Sequence, residues 1–391
     1  MDILNTIILA VGFCLIPAGV LWLCRRFSWL GKIGPVLILY FIGIIIGNIG
    51  LMPEQMPAVQ EILSNAMVPL AIPLMLYGCT FKMSGARSQI LALVTGMISV
   101  ATAVIIGYLI FGKDLPEGAK VGGMLTGVYT GGTINLAALK TMLGVKDETY
   151  ILINSYDILV SFLYLSFLLA IGIKLFRRLY GEPTDPQLRN KQEGMSNTTS
   201  EEETNSNPYS GLWSKYGLYQ LLKVIGVTIC IVALSAAAAL PLPEDWFMIV
   251  FILMLTTLGV CASFIKPVRN LKYSYDVGMY LIYIFSLVIA TMADFSKFDL
   301  TNGLYQIAFM SFAVFVSLAI HAIICRLMRV DADSMVISSV AFINSPPFVP
   351  MVTVAMRNRA VLVTGLGAGI MGYALGNHLG VLMANLLEMI G

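Results

Sequence analysis

Apolar runs of eighteen residues or more recur along the whole chain, and no other feature narrows its possible folds as far. Each run is long enough to cross the roughly 30 Å hydrocarbon layer of a bilayer as a helix. Barrel strands would read instead as short segments alternating between apolar and polar residues, and the runs are continuous. Composition agrees, with 58% hydrophobic and only 12% charged residues, where a soluble domain carries about 25% charge. The fold class expected is an all-α membrane protein with about 11–13 transmembrane helices.

The apolar segments read as residues 3–24, 34–51, 60–79, 89–112, 119–144, 149–176, 216–240, 245–264, 274–293, 303–325, 334–356 and 360–387. The first lacks a basic leader and a small-residue cleavage site, so it reads as a membrane helix and not a signal peptide. Cys14, Cys24, Cys79, Cys230, Cys261 and Cys325 lie in or beside these segments with no CxxC pair, as small buried hydrophobes do. Residues 181–214 form the one long polar stretch, with three consecutive glutamates, and this composition marks a solvated cytoplasmic linker. The linker separates an N-terminal membrane repeat, residues 1–180, from a C-terminal one, residues 215–391.

The halves share a layout and not a sequence. Each has uniform apolar segments, then one interrupted by polar residues with Gly or Pro, then a final helix. The interruptions fall at Gly131-Gly132-Thr133-Ile134-Asn135 and at Asn344-Ser345-Pro346-Pro347. Matched interruptions in the two halves of a membrane protein point to the binding site of a secondary transporter. The two discontinuous helices, at about 119–144 and 334–356, are expected to cross as an antiparallel pair within two inverted repeats. Basic residues at segment ends orient the chain, since Lys and Arg gather on the cytoplasmic side. Arg87 and Arg177 both read as cytoplasmic, yet three apolar segments lie between them and an even number is required.

Chemistry is expected where polar atoms meet broken helix. Thr130, Thr133 and Asn135 place hydroxyl and amide oxygens beside backbone freed by the two glycines, a set suited to a monovalent cation such as Na+. Asp157 lies about one-third into the next segment, with Asn154 one turn before it, and a carboxylate at membrane depth is a functional candidate by default. Gly131, Gly132, Asn344, Ser345, Pro346 and Pro347, with Asn377 and His378 on the closing helix, are the expected solute contacts. A Gly-rich packing surface is the competing reading of the first interruption, and a packing histidine is the reading for His321. No nucleotide-binding, metalloprotease or serine-hydrolase motif occurs. The chain therefore reads as a non-enzyme with no cofactor beyond a coupling Na+, and nothing in its charge distribution fits nucleic acid.

Residues 123–135, residues 68–77 and Gly376-Asn377-His378-Leu379-Gly380 together resemble the YjcL-like family of uncharacterised bacterial integral membrane proteins. That family is similar to the larger group of cation/proton antiporters and bile acid/sodium symporters. The resemblance implies two discontinuous helices crossing in a mobile core domain beside a static panel domain. It implies cation ligands at Thr133 and Asn135, by likeness to the symporters, and an exchanged carboxylate at Asp157, by likeness to the antiporters. The function expected is Na+- or H+-coupled movement of a small organic solute, an organic anion or small peptide, across the bacterial inner membrane. A monovalent cation/proton antiporter and a non-transporting receptor or assembly factor are the alternatives. A homodimer through residues 3–24 and 216–240 is an open arrangement.

Overall fold

The protein is described here from a computed structural model, which covers residues 2–49, 53, 55–77, 86–182, 211, 214–292 and 303–391. The polar linker lies almost wholly outside the described residues, and Cys79 does too. Among the described residues there are helices and no strands. In chain order they are α1 (Asp2–Arg26), α2 (Ser28–Ile33), α3 (Pro35–Asn48), α4 (Met56–Leu76) and α5 (Ala86–Gly107). A π turn (Tyr108–Gly112) ends α5 and is followed by α6 (Gly118–Gly131), α7 (Thr133–Met142) and α8 (Asp147–Phe167). A second π turn (Leu168–Gly172) leads to α9 (Ile173–Tyr180), then α10 (Lys215–Ala239), α11 (Glu244–Phe264), α12 (Lys266–Arg269) and α13 (Ser274–Thr291). The last helices are α14 (Leu304–Leu327), α15 (Ala332–Ile343), α16 (Val349–Met356) and α17 (Val361–Ile390).

Among the described residues, eight helices are long and apolar enough to span a bilayer, and four shorter apolar ones accompany them. The chain is thus an all-α, multi-pass membrane protein in contact with lipid, consistent with the bacterial inner membrane. Lipid contact accounts for large apolar side chains left exposed on the spans, such as Leu15, Trp22, Leu222 and Leu234.

The helices fall into two compact units, and each unit draws on both halves of the sequence. Unit 1 holds residues 1–81, 181–292 and 353–360. In it α13 packs closely on α3, where a Cβ at Gly47 would lie 2.5 Å from the Thr291 carbonyl oxygen. Gln60 of α4 donates to the Thr291 hydroxyl at 2.9 Å, and the hydroxyls of Tyr77 and Thr228 share a 3.0 Å bond.

Unit 2 holds residues 82–180, 293–352 and 361–391, and so contains both interruptions. Its hydrogen bonds show which chain ends lie together. Ser88 at the start of α5 donates to the Asp331 carboxylate at 3.2 Å. Arg177 in α9 grips Asp333 at the start of α15, and the Tyr180 hydroxyl donates to the Ala322 carbonyl in α14 at 2.6 Å. The start of α5, the end of α9, the end of α14 and the start of α15 therefore share one end of the unit, which also carries Arg87, Arg178 and Arg326. At the opposite end Lys113 donates to the Ile390 carbonyl, and the segment between α5 and α6 meets the start of α8.

This arrangement accounts for the crossing that charge counting left over. The Lys120 ammonium near the start of α6 donates to the Gly144 carbonyl just after α7, at 3.1 Å. Glu117, before α6, accepts from the Lys146 amide at 3.3 Å and the Thr149 hydroxyl at 2.9 Å. Both feet of α6–α7 stand at the same end, so this segment is a hairpin that enters and returns. Two crossings, α5 and α8–α9, remain between Arg87 and Arg177, and both residues lie at one end as the charge pattern requires.

The second interruption doubles back as well. A Cβ at Gly365, near the start of α17, would lie 2.5 Å from Val349 and 2.7 Å from Ile337. The chain therefore passes that level going in through α15, reaches Pro346 beside Gly369, and returns through Val349. The first hairpin enters from one end of unit 2 and the second from the other.

Candidate functional site

The tips of the hairpins meet. Helix α6 stops because Gly132 adopts φ +85°, ψ −175°, a backbone conformation that costs glycine little and other residues much. No side chain fits there, since a Cβ would collide with the Ser345 hydroxyl and lie 3.6 Å from the Ser345 Cα. Helix α15 stops for a different reason. Ser345 takes φ +79°, and Pro346 and Pro347 follow with no N–H to continue the ladder. Their turn, Pro346–Phe348, is 3-10. Ser345 and four helix ends thus converge inside unit 2, where backbone N–H and C=O groups released from helical pairing can face a ligand.

Helix α17 backs the first hairpin. Gly123, Gly127 and Gly131 are stacked one helical turn apart along α6, and Gly380, Gly376 and Gly372 are stacked the same way along α17. A Cβ at Gly123 would meet the Gly380 carbonyl oxygen at 2.6 Å, one at Gly127 the Gly376 carbonyl oxygen at 3.3 Å, and one at Gly131 would collide with the Gly372 carbonyl. The helices run antiparallel at backbone contact, as small residues permit in membranes. The packing reading of these glycines therefore holds along the whole stripe.

Asn135, 1% exposed, fastens the tip to that stripe. Its amide donates to the Gly127 carbonyl at 3.3 Å and the Gly372 carbonyl at 3.2 Å. The buried Thr130 hydroxyl donates back to the Thr126 carbonyl at 2.7 Å. The side chain of Thr133 lies outside what the structure describes.

On the other side of the tips, Asp157 is 3% exposed and accepts from the Ser161 hydroxyl one turn on, at 3.2 Å. The Asn344 amide donates to the Ser161 carbonyl at 3.2 Å, tying the second hairpin to α8, while its own buried Oδ1 has no hydrogen-bond partner. The fully buried Tyr129 phenol interacts with the Asp157 carboxyl. No hydrogen bond of good geometry closes on that hydroxyl. Asn154 is half-buried one turn before Asp157.

The pairing differs from the grouping expected by position in the sequence. Asp157 joins Asn344, and Asn135 joins Gly372 of the closing helix. Asn377 is half-buried with an unpartnered Oδ1, whereas His378 is exposed on α17, away from the glycine stripe. His321 is buried and bonds the Ala92 carbonyl at 2.9 Å, so that ring nitrogen is the donor and the residue packs α14 on α5.

Sequence reasoning did not single out Tyr129, Ser161 or Asp333. The Asp333 carboxylate takes two bonds from Arg177, Nε to Oδ1 and Nη2 to Oδ2, each 2.8 Å. These side chains are 1% and 5% exposed. The signal for it was an acidic first turn on an otherwise apolar helix. Among the described residues no group of three or more His, Cys, Asp or Glu stands together to hold a metal ion.

A family model described as "Protein of unknown function (DUF819)" matches residues 10–390. The chain is also 25% identical over 397 residues to "Uncharacterized membrane protein YjcL" of Bacillus subtilis (strain 168), covering 96% of this chain and 95% of that one. No solved structure matches.

Proposed function

We propose that this chain, which belongs to the family described as protein of unknown function (DUF819), is a secondary active transporter. It moves a small organic solute, an organic anion or small peptide-like molecule, in step with Na+ or H+ by elevator-type alternating access. One observation carries the reading: two broken hairpins entering unit 2 from opposite ends meet at Gly132 and Ser345 beside a buried carboxylate. Buried unpaired backbone is costly in a bilayer unless it lines a site, and an intramembrane carboxylate without function is rarely kept.

On this reading the halves of the sequence are inverted repeats, and the chain stands beside the cation/proton antiporters and bile acid/sodium symporters. In unit 2, α5 and α8–α9 run in the senses opposite to α14 and α17, which supports it. Unit 2 is the moving core, unit 1 the panel, and a homodimer would form through the panel. Hairpin feet pinned by Glu117 and Asp331, with tips pinned by Asn135 and Asn344, favour movement of the whole body over hairpin opening. The solute contacts are Gly131, Gly132, Ser345, Pro346, Pro347 and Asn377.

A thermal-shift screen of the detergent-solubilised chain against small organic acids and peptides, with and without sodium, tests the reading. Stabilisation by one solute class, enhanced by sodium and followed by uptake into proteoliposomes, is expected. Absence of any solute response, with function intact after Asp157→Asn combined with Asn135→Ala, would instead leave the breaks structural. The buried Asp157 carboxylate also fits cation/proton antiport, which would show as a pH response in inverted vesicles with no solute present.

A further inference from the structure

We infer that unit 1 carries a binding site for an anionic phospholipid headgroup. It is built from Arg357 and Arg359, on the loop between α16 and α17, and from Arg25 and Arg26 at the end of α1. The inference goes beyond transport and does not depend on it. All four arginines belong to unit 1 and are exposed. Contacts bring the two stretches together. Arg357 donates from Nη2 to the Gly31 carbonyl of α2 at 3.1 Å. A Cβ on Gly31 would lie 3.0 Å from the Cys24 carbonyl oxygen, so α2 folds back on the end of α1 beside Arg25 and Arg26.

Basic residues that only mark a cytoplasmic loop need no fixed geometry, whereas the two on the α16–α17 loop are held in place. The Arg359 guanidinium carbon lies 3.1 Å from the centroid of the Tyr275 ring at the start of α13, a separation that only a face-to-face stack allows. Stacking occupies the face of the guanidinium and leaves its N–H edge open. Arg357 spends one N–H on Gly31 and keeps the rest of its fork. Between them, buried Asn358 fixes the loop, its side-chain oxygen accepting from the Ala360 amide at 3.1 Å.

Among the described residues, the ion pairs join Lys120 to Glu117, Lys140 to Asp147 and Arg177 to Asp333, all in unit 2. None of the four arginines pairs with a described carboxylate. Asp276, in the first turn of α13, adds one negative charge near Arg357, and the place stays net positive. Arginine forks with open edges match the oxygens of a phosphate. What borders them selects a lipid phosphate over a free one. Trp22, Phe27 and Trp29 are 64%, 46% and 61% exposed, and aromatic rings of this kind lie at headgroup level. The arginines also stand on the side that charge marks as cytoplasmic, where anionic lipids attract basic groups.

The test uses the full chain, stripped of lipid in detergent, with phosphatidylglycerol added in mixed micelles as the probe. A saturable rise in melting temperature is expected with phosphatidylglycerol and not with phosphatidylcholine at the same concentrations. Arg357→Gln combined with Arg359→Gln should raise the half-saturating concentration about tenfold, equivalent to about 1.4 kcal/mol. Should that variant fail to fold, Arg25→Gln combined with Arg26→Gln decides, with a rise of about fivefold or more. Arg178→Gln combined with Arg326→Gln removes the same charge from unit 2 and should leave half-saturation unchanged. Equal stabilisation by phosphatidylcholine or by inorganic phosphate would overturn the site. So would an equal loss in the unit 2 variant, or unchanged half-saturation in the unit 1 variants.

Discussion

The Arg177–Asp333 pair makes a demanding prediction because the structure fixes both its sign and its size. Two parallel 2.8 Å bonds join side chains that are 5% and 1% exposed, one at the end of α9 and the other at the start of α15. Asp333→Ala leaves a guanidinium buried without its carboxylate, and removal of one partner from such a pair costs roughly 3–5 kcal/mol. Arg177→Met strands the carboxylate and falls in the same range. The double variant Arg177→Met, Asp333→Leu removes both charges and keeps most of the volume, so it should lie within about 1 kcal/mol of the parent or above it. The singles therefore do not add, and the cycle gives a coupling of several kcal/mol. Heating detergent-solubilised protein and measuring the monodisperse fraction by size exclusion ranks the four proteins. Single variants that melt with the parent, or a double variant that loses the sum of both, would refute the buried pair. They would also refute the placement of Arg177 and Asp333 at one end of unit 2.

Two further substitutions probe the hairpins through thermal stability of the same preparation. At Gly372 an added methyl would collide with the Thr130 carbonyl and sit 3.2 Å from the Gly131 Cα, so Gly372→Ala must part α6 from α17 and lose about 1–3 kcal/mol. Gly367, on the same helix with nothing within 4 Å of an added methyl, is the control. Gly367→Ala should gain up to about 1 kcal/mol from helix propensity. Burial raises the Glu117 carboxyl, but bonds from the Thr149 hydroxyl, the Lys146 amide and Lys120 outweigh it and hold the group below the ordinary glutamate range. A depressed folded value means stability that is present above the unfolded value, about pH 4.3, and lost as pH falls through the folded one. Glu117→Gln should therefore cost about 1 kcal/mol at pH 7 and progressively less below pH 4, and a deficit that grew on acidification would overturn the sign.

The spans were legible because eighteen consecutive apolar residues admit no other membrane structure, and the breaks were legible because a glycine pair weakens a helix and Pro346-Pro347 lacks the N–H groups to continue one. The return of the first hairpin was not, since hydropathy is the same for a segment that crosses and one that doubles back. Its trace lay in parity, the odd crossing between Arg87 and Arg177. The bonds that settle it, from Lys120 to Gly144 and from Lys146 to Glu117, carry no pattern in sequence. The partner of Asn344 is 183 residues away at Ser161, a pairing that follows from how α8 packs on the second hairpin and from nothing local.

Helical phase, by contrast, held more than position along the chain. Successive residues of a helix turn by about 100°, so the glycines that face α6 from α17, at 372, 376 and 380, fix where their neighbours point. His378 lies two residues from Gly376 and Gly380, about 200° around the helix, and must face away from the first hairpin, as it does. The same rule applies to α6. Gly127 and Gly131 face α17, so Tyr129 between them is directed away from it, toward the side where the structure places Asp157. A tyrosine that composition counts as one more aromatic in an apolar run is, by phase alone, the residue of the first hairpin aimed at the buried carboxylate.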